Sequence, residues 1–275
     1  MHVEEQAAER YLELLKKCLT RLMFDEQYTA IPAPHNPVKA QALASIQRLL
    51  GRRALELVVQ TPTPPGRTEG RDWPAQAETM IGLQRLDNIQ HCVSDAIRQG
   101  VPGDLIETGV WRGGATIFMR AALAAYGDTT RSVWVADSFR GLPKPSGRYK
   151  ADYHDHFWRF SALAVSADEV RANFARYGLL DDQVRFLEGF FQDTLAGAPI
   201  EQLAVARLDG DMYESTIVAL EALYPKLSPG GYMIVDDYGA VGACSEAVDD
   251  YRRDHGITEP LVEIDWSGVY WQRRA

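Results

Sequence analysis

From residue 104 onward, short apolar runs alternate with stretches whose apolar positions recur every three to four residues. The short runs at 104–108, 132–137, 184–189, 205–209 and 231–236 read as strands, and the periodic stretches at 114–126, 167–177, 214–226 and 243–254 read as helices. Two final runs, 261–265 and 268–273, meet at Trp266-Ser267-Gly268 and read as a closing hairpin. Repeated strand–helix alternation ending in a hairpin predicts an α/β fold: a doubly wound, Rossmann-like, mostly parallel sheet with an antiparallel last strand.

The first part of the chain follows a different rule. Ala7, Tyr11, Leu14, Leu15, Cys18 and Leu22 recur at helical spacing over 6–23, and a second helical run covers about 38–51. Proline-rich breaks at 31–37 and from Thr61 to Pro74 separate these from a long helix predicted over 76–99, with Met80, Leu83, Leu86, Ile89, Val93 and Ile97 along one face. This predicts a helical N-terminal extension, 1–75, serving as a cofactor cover or oligomer contact, and a main domain at 76–275. Residues 140–165 fit neither periodicity. They form a long insertion rich in Tyr, His, Asp, Trp and Phe, which reads as an active-site lid.

Composition narrows the partners. At 275 residues and 46% apolar content, the chain can bury one substantial core with an added lobe. Its formal charge of -9 sets the overall field against nucleic acid and acidic membranes. No apolar run is long enough to span a bilayer, and the charged N-terminus lacks the core of a signal peptide. Cys18, Cys92 and Cys244 lie far apart with no CxxC, so neither a disulfide framework nor a zinc site is expected. The expected compartment is the reducing cytoplasm, and the expected partner a small molecule.

The chemistry concentrates at the ends of the predicted strands. The run Asp104-Leu105-Ile106 leads into Glu107-Thr108-Gly109-Val110-Trp111-Arg112-Gly113-Gly114 and then into a helix. An acid, a glycine turn and a helix start in that order are how a doubly wound sheet holds a nucleoside cofactor. The glycine spacing is G-x-x-x-G-G, not the dinucleotide form, and an acid before the turn would repel a pyrophosphate. Both features favour a cofactor with a cationic end and no phosphate, such as S-adenosylmethionine. Asp137 closes the next strand, where a carboxylate can accept from ribose hydroxyls or cap a turn.

Asp209, Asp236 and Asp237 close two later strands. Three convergent carboxylates repel, and a hard divalent cation such as Mg2+ is the simplest remedy. Adjacent strand residues face opposite ways, so Asp236 and Asp237 both ligate only if the strand ends there; otherwise one ligates and the other caps the helix at 243–254. Asp211-Met212-Tyr213-Glu214 has the D-x-x-E form of a helix start, so Asp211 reads as an N-cap. Asp209 is placed to ligate the cation, to take a proton from a hydroxyl whose acidity the cation raises, or to do both. His154 and His156, in the insertion, read as solvated or substrate-contacting groups, with metal ligation as the lesser reading.

These segments, with Ala77-Glu78-Thr79-Met80-Ile81-Gly82-Leu83, Ala136-Asp137-Ser138-Phe139-Arg140-Gly141-Leu142-Pro143 and Gly230 to Tyr238, resemble the macrocin-type (TylF/MycF) O-methyltransferases over residues 75–273. The resemblance implies a class I methyltransferase that moves a methyl group from S-adenosylmethionine to a sugar hydroxyl on a glycosylated antibiotic such as a macrolide or aminocoumarin. It implies Mg2+ held by Asp209, Asp236 and Asp237, with Asp209 as general base. It also implies cofactor contacts from Thr79, Met80, Glu107, Gly109, Asp137, Ser138 and Asp193, and a homodimer or higher homo-oligomer formed through the N-terminal helices. Three other readings are a catechol-like phenol O-methyltransferase, a nicotinamide reductase and a non-catalytic cofactor-binding subunit.

Overall fold

The computed structural model describes residues 3–274; residues 1, 2 and 275, at the ends of the two predicted domains, lie outside the described residues. The strands that the apolar runs predict come together as one seven-stranded sheet. It contains β3 (Asp104–Thr108), β4 (Val133–Asp137), β5 (Val184–Glu188), β6 (Leu203–Leu208), β7 (Leu227–Val235), β8 (Val262–Glu263) and β9 (Val269–Gln272). The order is β5-β4-β3-β6-β7-β9-β8; the first five are parallel, and β9 runs antiparallel to both β7 and β8. The sheet is therefore the expected Rossmann-like α/β arrangement with an antiparallel strand inserted at its end. Chain order reverses between β3 and β6, and a ligand crevice opens at the carboxyl ends of strands at such a switch.

Successive residues on a strand face opposite sides, which divides the core in two. On one side Leu105, Val205 and Ile234 pack with α3 (Leu83–Arg98), α4 (Gly114–Ala125) and α5 (Ala167–Arg176). On the other, Ile106, Ala206 and Met233 pack with α7 (Tyr213–Leu223) and α8 (Gly242–Asp254).

The N-terminal extension splits. Helix α1 (Val3–Leu19) buries Leu12, Leu15 and Leu19 in the main core against α3 and α4. By contrast α2 (Pro37–Gly51) buries none of its residues, and it lies between β1 (Glu26–Ala30) and β2 (Val58–Pro62), which pair as an antiparallel ribbon. The long third helix begins at Leu83, not at 76, because Gly82 holds extended backbone ahead of it. Residues 77–81 run instead beside the glycine turn, where Gly114 N–H donates to the Glu78 carbonyl at 2.9 Å. A β-carbon at Gly114 would stand 2.5 Å from that carbonyl oxygen. The three cysteines are free, and no helix among the described residues is long and apolar enough to cross a membrane.

Candidate active site

A cavity of about 360 Å³ opens at the carboxyl ends of β3, β4, β6 and β7. Its walls include Glu107 and Gly109, Asp137 and Ser138, Asp209 and Asp211, and Asp236 and Asp237, each group at or just beyond a strand end. Thr79 and Met80 add a wall from the segment before α3. Asp193 does not line the cavity. It is exposed on the single-turn helix α6 (Phe191–Thr194), whose Phe191 and Gln192 face the cavity together with the preceding Phe190.

At one end, the glycine turn is fixed by carboxylates. Asp137 accepts from Val110 N–H at 2.8 Å and from Phe139 N–H at 2.7 Å, so each oxygen spends one bond on backbone and keeps a lone pair for another donor. Burial raises its pKa, and those amides offset part of the rise. Glu107 is 2% exposed and is bonded to Thr116 Oγ1 and Arg207. Burial lifts its pKa to about 7 against the pull of Arg207 and Thr116.

At the other end the acids fall into two groups. One oxygen from each of Asp209, Asp211 and Asp237 lies within 4.8 Å of the others. Asp236 is drawn aside: one of its oxygens accepts from Arg207 and the other from Arg85 at 2.5 Å. Burial works against its charge, but the two guanidiniums outweigh burial and hold its pKa below the usual range. Asp211 is not an N-cap. Its φ of 54° is left-handed, its N–H donates to Asp237 at 3.2 Å, and the cap of α7 comes from elsewhere. Asp152, in the insertion, accepts from Tyr213 N–H at 2.8 Å and from Glu214 N–H at 2.9 Å.

Burial and mutual repulsion raise the pKa of Asp209 to about 6, that of Asp211 to about 8, and that of Asp237 well above its usual value. Three oxygen donors that resist carrying full charge together are a set that could hold a hard divalent cation such as Mg2+. Arg85 and Arg207 were not singled out in the sequence, although Arg207 is the lone charge in the apolar strand before Asp209.

The insertion lies over the cavity, with Phe157 and Leu163 lining it. Trp111 Nε1 donates to Ala162 O at 2.9 Å, and the Trp73 and Phe160 rings meet edge-on at 5.7 Å. Ser146 Oγ bonds Glu214 at 2.6 Å, and Tyr149 packs on Tyr213 with ring centres 4.7 Å apart. His154 and His156 are exposed and stand outside the cavity.

A glycine turn flanked by buried acids at a switch point, an acid cluster at the far end of one cavity, and a closing insertion define an α/β group-transfer enzyme. The chain belongs to the macrocin-O-methyltransferase (TylF) family, whose description matches residues 8–273, and it is an O-methyltransferase. It is 51% identical to 8-demethyl-8-(2,3-dimethoxy-alpha-L-rhamnosyl)-tetracenomycin-C 4'-O-methyltransferase of Streptomyces olivaceus, across 98% of this chain and 95% of that one. It is 58% identical to demethyldecarbamoylnovobiocin O-methyltransferase of Streptomyces niveus, across 75% of this chain and 80% of that one. The solved structure of the O-methyltransferase NovP superposes with a TM-score of 0.82 at 46% identity, covering 98% of this chain and all of that one.

Proposed function

We propose that this enzyme moves a methyl group from S-adenosylmethionine to a sugar hydroxyl on a glycosylated natural product of the antibiotic type, with Asp209 taking the hydroxyl proton beside a Mg2+ ion. The observation that carries this reading is the single cavity that joins the glycine turn to the cluster of Asp209, Asp211 and Asp237. Glu107, Gly109, Asp137, Ser138, Thr79 and Met80 hold the cofactor end, and the free lone pairs of Asp137 accept from the ribose. The cation, held by Asp209, Asp211 and Asp237, would make the acceptor hydroxyl more acidic and fix its direction.

Asp209 performs two tasks. It stands at the switch point between the two ends of the cavity, and Arg207 Nη1 donates to one of its oxygens at 2.8 Å, leaving the other oxygen to receive a proton. The insertion keeps water from the reacting oxygen, with Phe157 and Leu163 forming an apolar cover. Binding both reactants in one cavity supplies the orientation that displacement at the methyl carbon needs.

The relatives support the sugar. One is named for 4'-O-methyl transfer to a rhamnosyl tetracenomycin and another for methylating demethyldecarbamoylnovobiocin. The enzyme acts as a homo-oligomer whose copies meet over α2, where Val38, Ile46 and Leu49 are 74%, 50% and 63% exposed and no other described residue covers them.

The test is methyl transfer from labelled S-adenosylmethionine to those two acceptors and to a simple catechol. Transfer to either glycoside, with the catechol inert, is the expected result. Methylation of the catechol alone would replace the sugar reading with a phenol one.

A further inference from the structure

Strand β6 is buried along its whole length, and Arg207 is its only charged residue. The register explains how the sheet admits it. Glu107 is its partner on β3, and Ile234 its partner on β7. Asp209 lies two residues beyond Arg207, and Asp236 two beyond Ile234. Residues two apart on a strand face the same way, so three acids surround one guanidinium on one face of the sheet.

The contacts follow from that placement. Arg207 Nη1 donates to Glu107 Oε1 and, at 2.8 Å, to Asp209 Oδ2, while Nη2 donates to Asp236 Oδ1. The second oxygen of Asp236 accepts from Arg85, whose Nε donates to Asp265 at 2.9 Å. A buried cation that only neutralised acids would need no particular shape. Here a single nitrogen is shared between Glu107, at the cofactor end of the cavity, and Asp209, at the acceptor end. Neither acid can shift relative to the other without breaking a bond to that nitrogen.

We propose that Arg207 is a positioning residue for methyl transfer: its planar fork fixes Asp209 relative to Glu107, and so fixes the proton acceptor relative to the cofactor. Asp236, anchored from its far side by Arg85, stops the fork from turning. The inference rests on the reading of Asp209 as the proton acceptor. Lysine keeps the charge but offers a point donor on a flexible stem, and it cannot bridge three carboxylates in one plane.

Arg207→Lys and Arg207→Met are compared with the wild type for thermal unfolding, for S-adenosylhomocysteine affinity by calorimetry, and for kcat and KM on whichever of the two glycosides the wild type methylates. In the expected result Arg207→Lys folds and binds S-adenosylhomocysteine as the wild type does, and its acceptor KM is unchanged. Its kcat falls by about 100-fold, the penalty of misplacing a reacting group by roughly 1 Å. Arg207→Lys with wild-type kcat overturns the proposal, because charge alone would then suffice. So does a loss carried by KM or by S-adenosylhomocysteine affinity, and so does failure of both variants to fold. Failure of the underlying reading looks different: Asp209→Asn would then keep its turnover, whatever the Arg207 variants do.

Discussion

The carbonyl oxygen of Asp209 lies 1.8 Å from where a β-carbon on Gly109 would stand. The ends of β3 and β6 are that close because Asp209 N–H donates to Thr108 O at 2.9 Å across the switch point, while on the other side Gly109 N–H is held by Ala136 O of β4 at 2.8 Å. Gly109 also has a φ of +82°, where a side chain is strained. Gly109→Ala is therefore expected to lose about 1–3 kcal/mol from the backbone angle alone, and more from an overlap with backbone that cannot rotate away. Urea unfolding measures the loss, and calorimetry with S-adenosylhomocysteine should show binding abolished. Wild-type stability in this variant would mean that the two strand ends separate freely.

Asp152 joins the insertion to the loop that carries the acids. Its buried carboxylate caps α7 just after Asp211, doing from a distance what a local cap does for most helices. Asp152→Ala should cost about 1 kcal/mol or somewhat more, the usual loss of an N-cap. Because the cap holds the cover in place, acceptor KM should rise while S-adenosylhomocysteine affinity stays unchanged. An unchanged acceptor KM would show that the insertion is held by its other contacts.

Asp236 is bonded to two guanidiniums while Asp211 lies in the acid cluster, and Mn2+ binding followed by electron paramagnetic resonance tests the roles proposed for them. Asp211→Asn should weaken Mn2+ binding by more than about tenfold, the lower bound for losing even an outer partner of a metal site. Asp236→Asn leaves Arg85 and Arg207 without a full counter-charge and should lower stability by about 3–5 kcal/mol, as breaking a buried pair does. Its effect on Mn2+ should be the smaller of the two. The reverse order would return Asp236 to the ligand set expected from the sequence.

The raised acids make stability depend on pH in a definite direction. Glu107, Asp209 and Asp211 hold their protons to about pH 7, 6 and 8 in the folded chain, against ordinary values of 4.5, 3.8 and 3.8. Between those limits the folded state binds protons that the unfolded state has lost. The stability these groups contribute is complete below about pH 4 and is lost as the pH rises to about 8. Asp236, with its depressed pKa, has the opposite dependence and loses its contribution on acidification. A cation held as proposed would compete with protons at the cluster, so the gap in Tm between Mg2+ and chelator should widen from about pH 5 to about pH 8. A gap that does not change with pH would show that the three carboxylates do not share a cation.

Which parts of the site the sequence revealed depends on distance along the chain. Glu107, Asp137 and Asp209 each close an apolar run, so strand periodicity alone placed them on one rim. Asp236 also closes such a run, yet its direction is set by Arg85, which approaches from α3, 151 residues away in the sequence. Asp211 read as a cap because D-x-x-E is a local signal; the true cap is Asp152, 61 residues from its partner Tyr213. The pairing of β1 with β2 was hidden for the same reason, since a whole helix intervenes between the partners. Arg207 could have been found: a single guanidinium in an apolar strand, two residues before an acid, needs partners on the same face.

The most direct test compares the rate of methyl transfer by Asp209→Asn with that of the wild type, on an accepted glycoside, alongside calorimetry with S-adenosylhomocysteine. Loss of a general base should slow turnover by about 10²–10⁴-fold, with S-adenosylhomocysteine bound as before. Turnover near the wild-type rate, with or without chelator, would contradict the account.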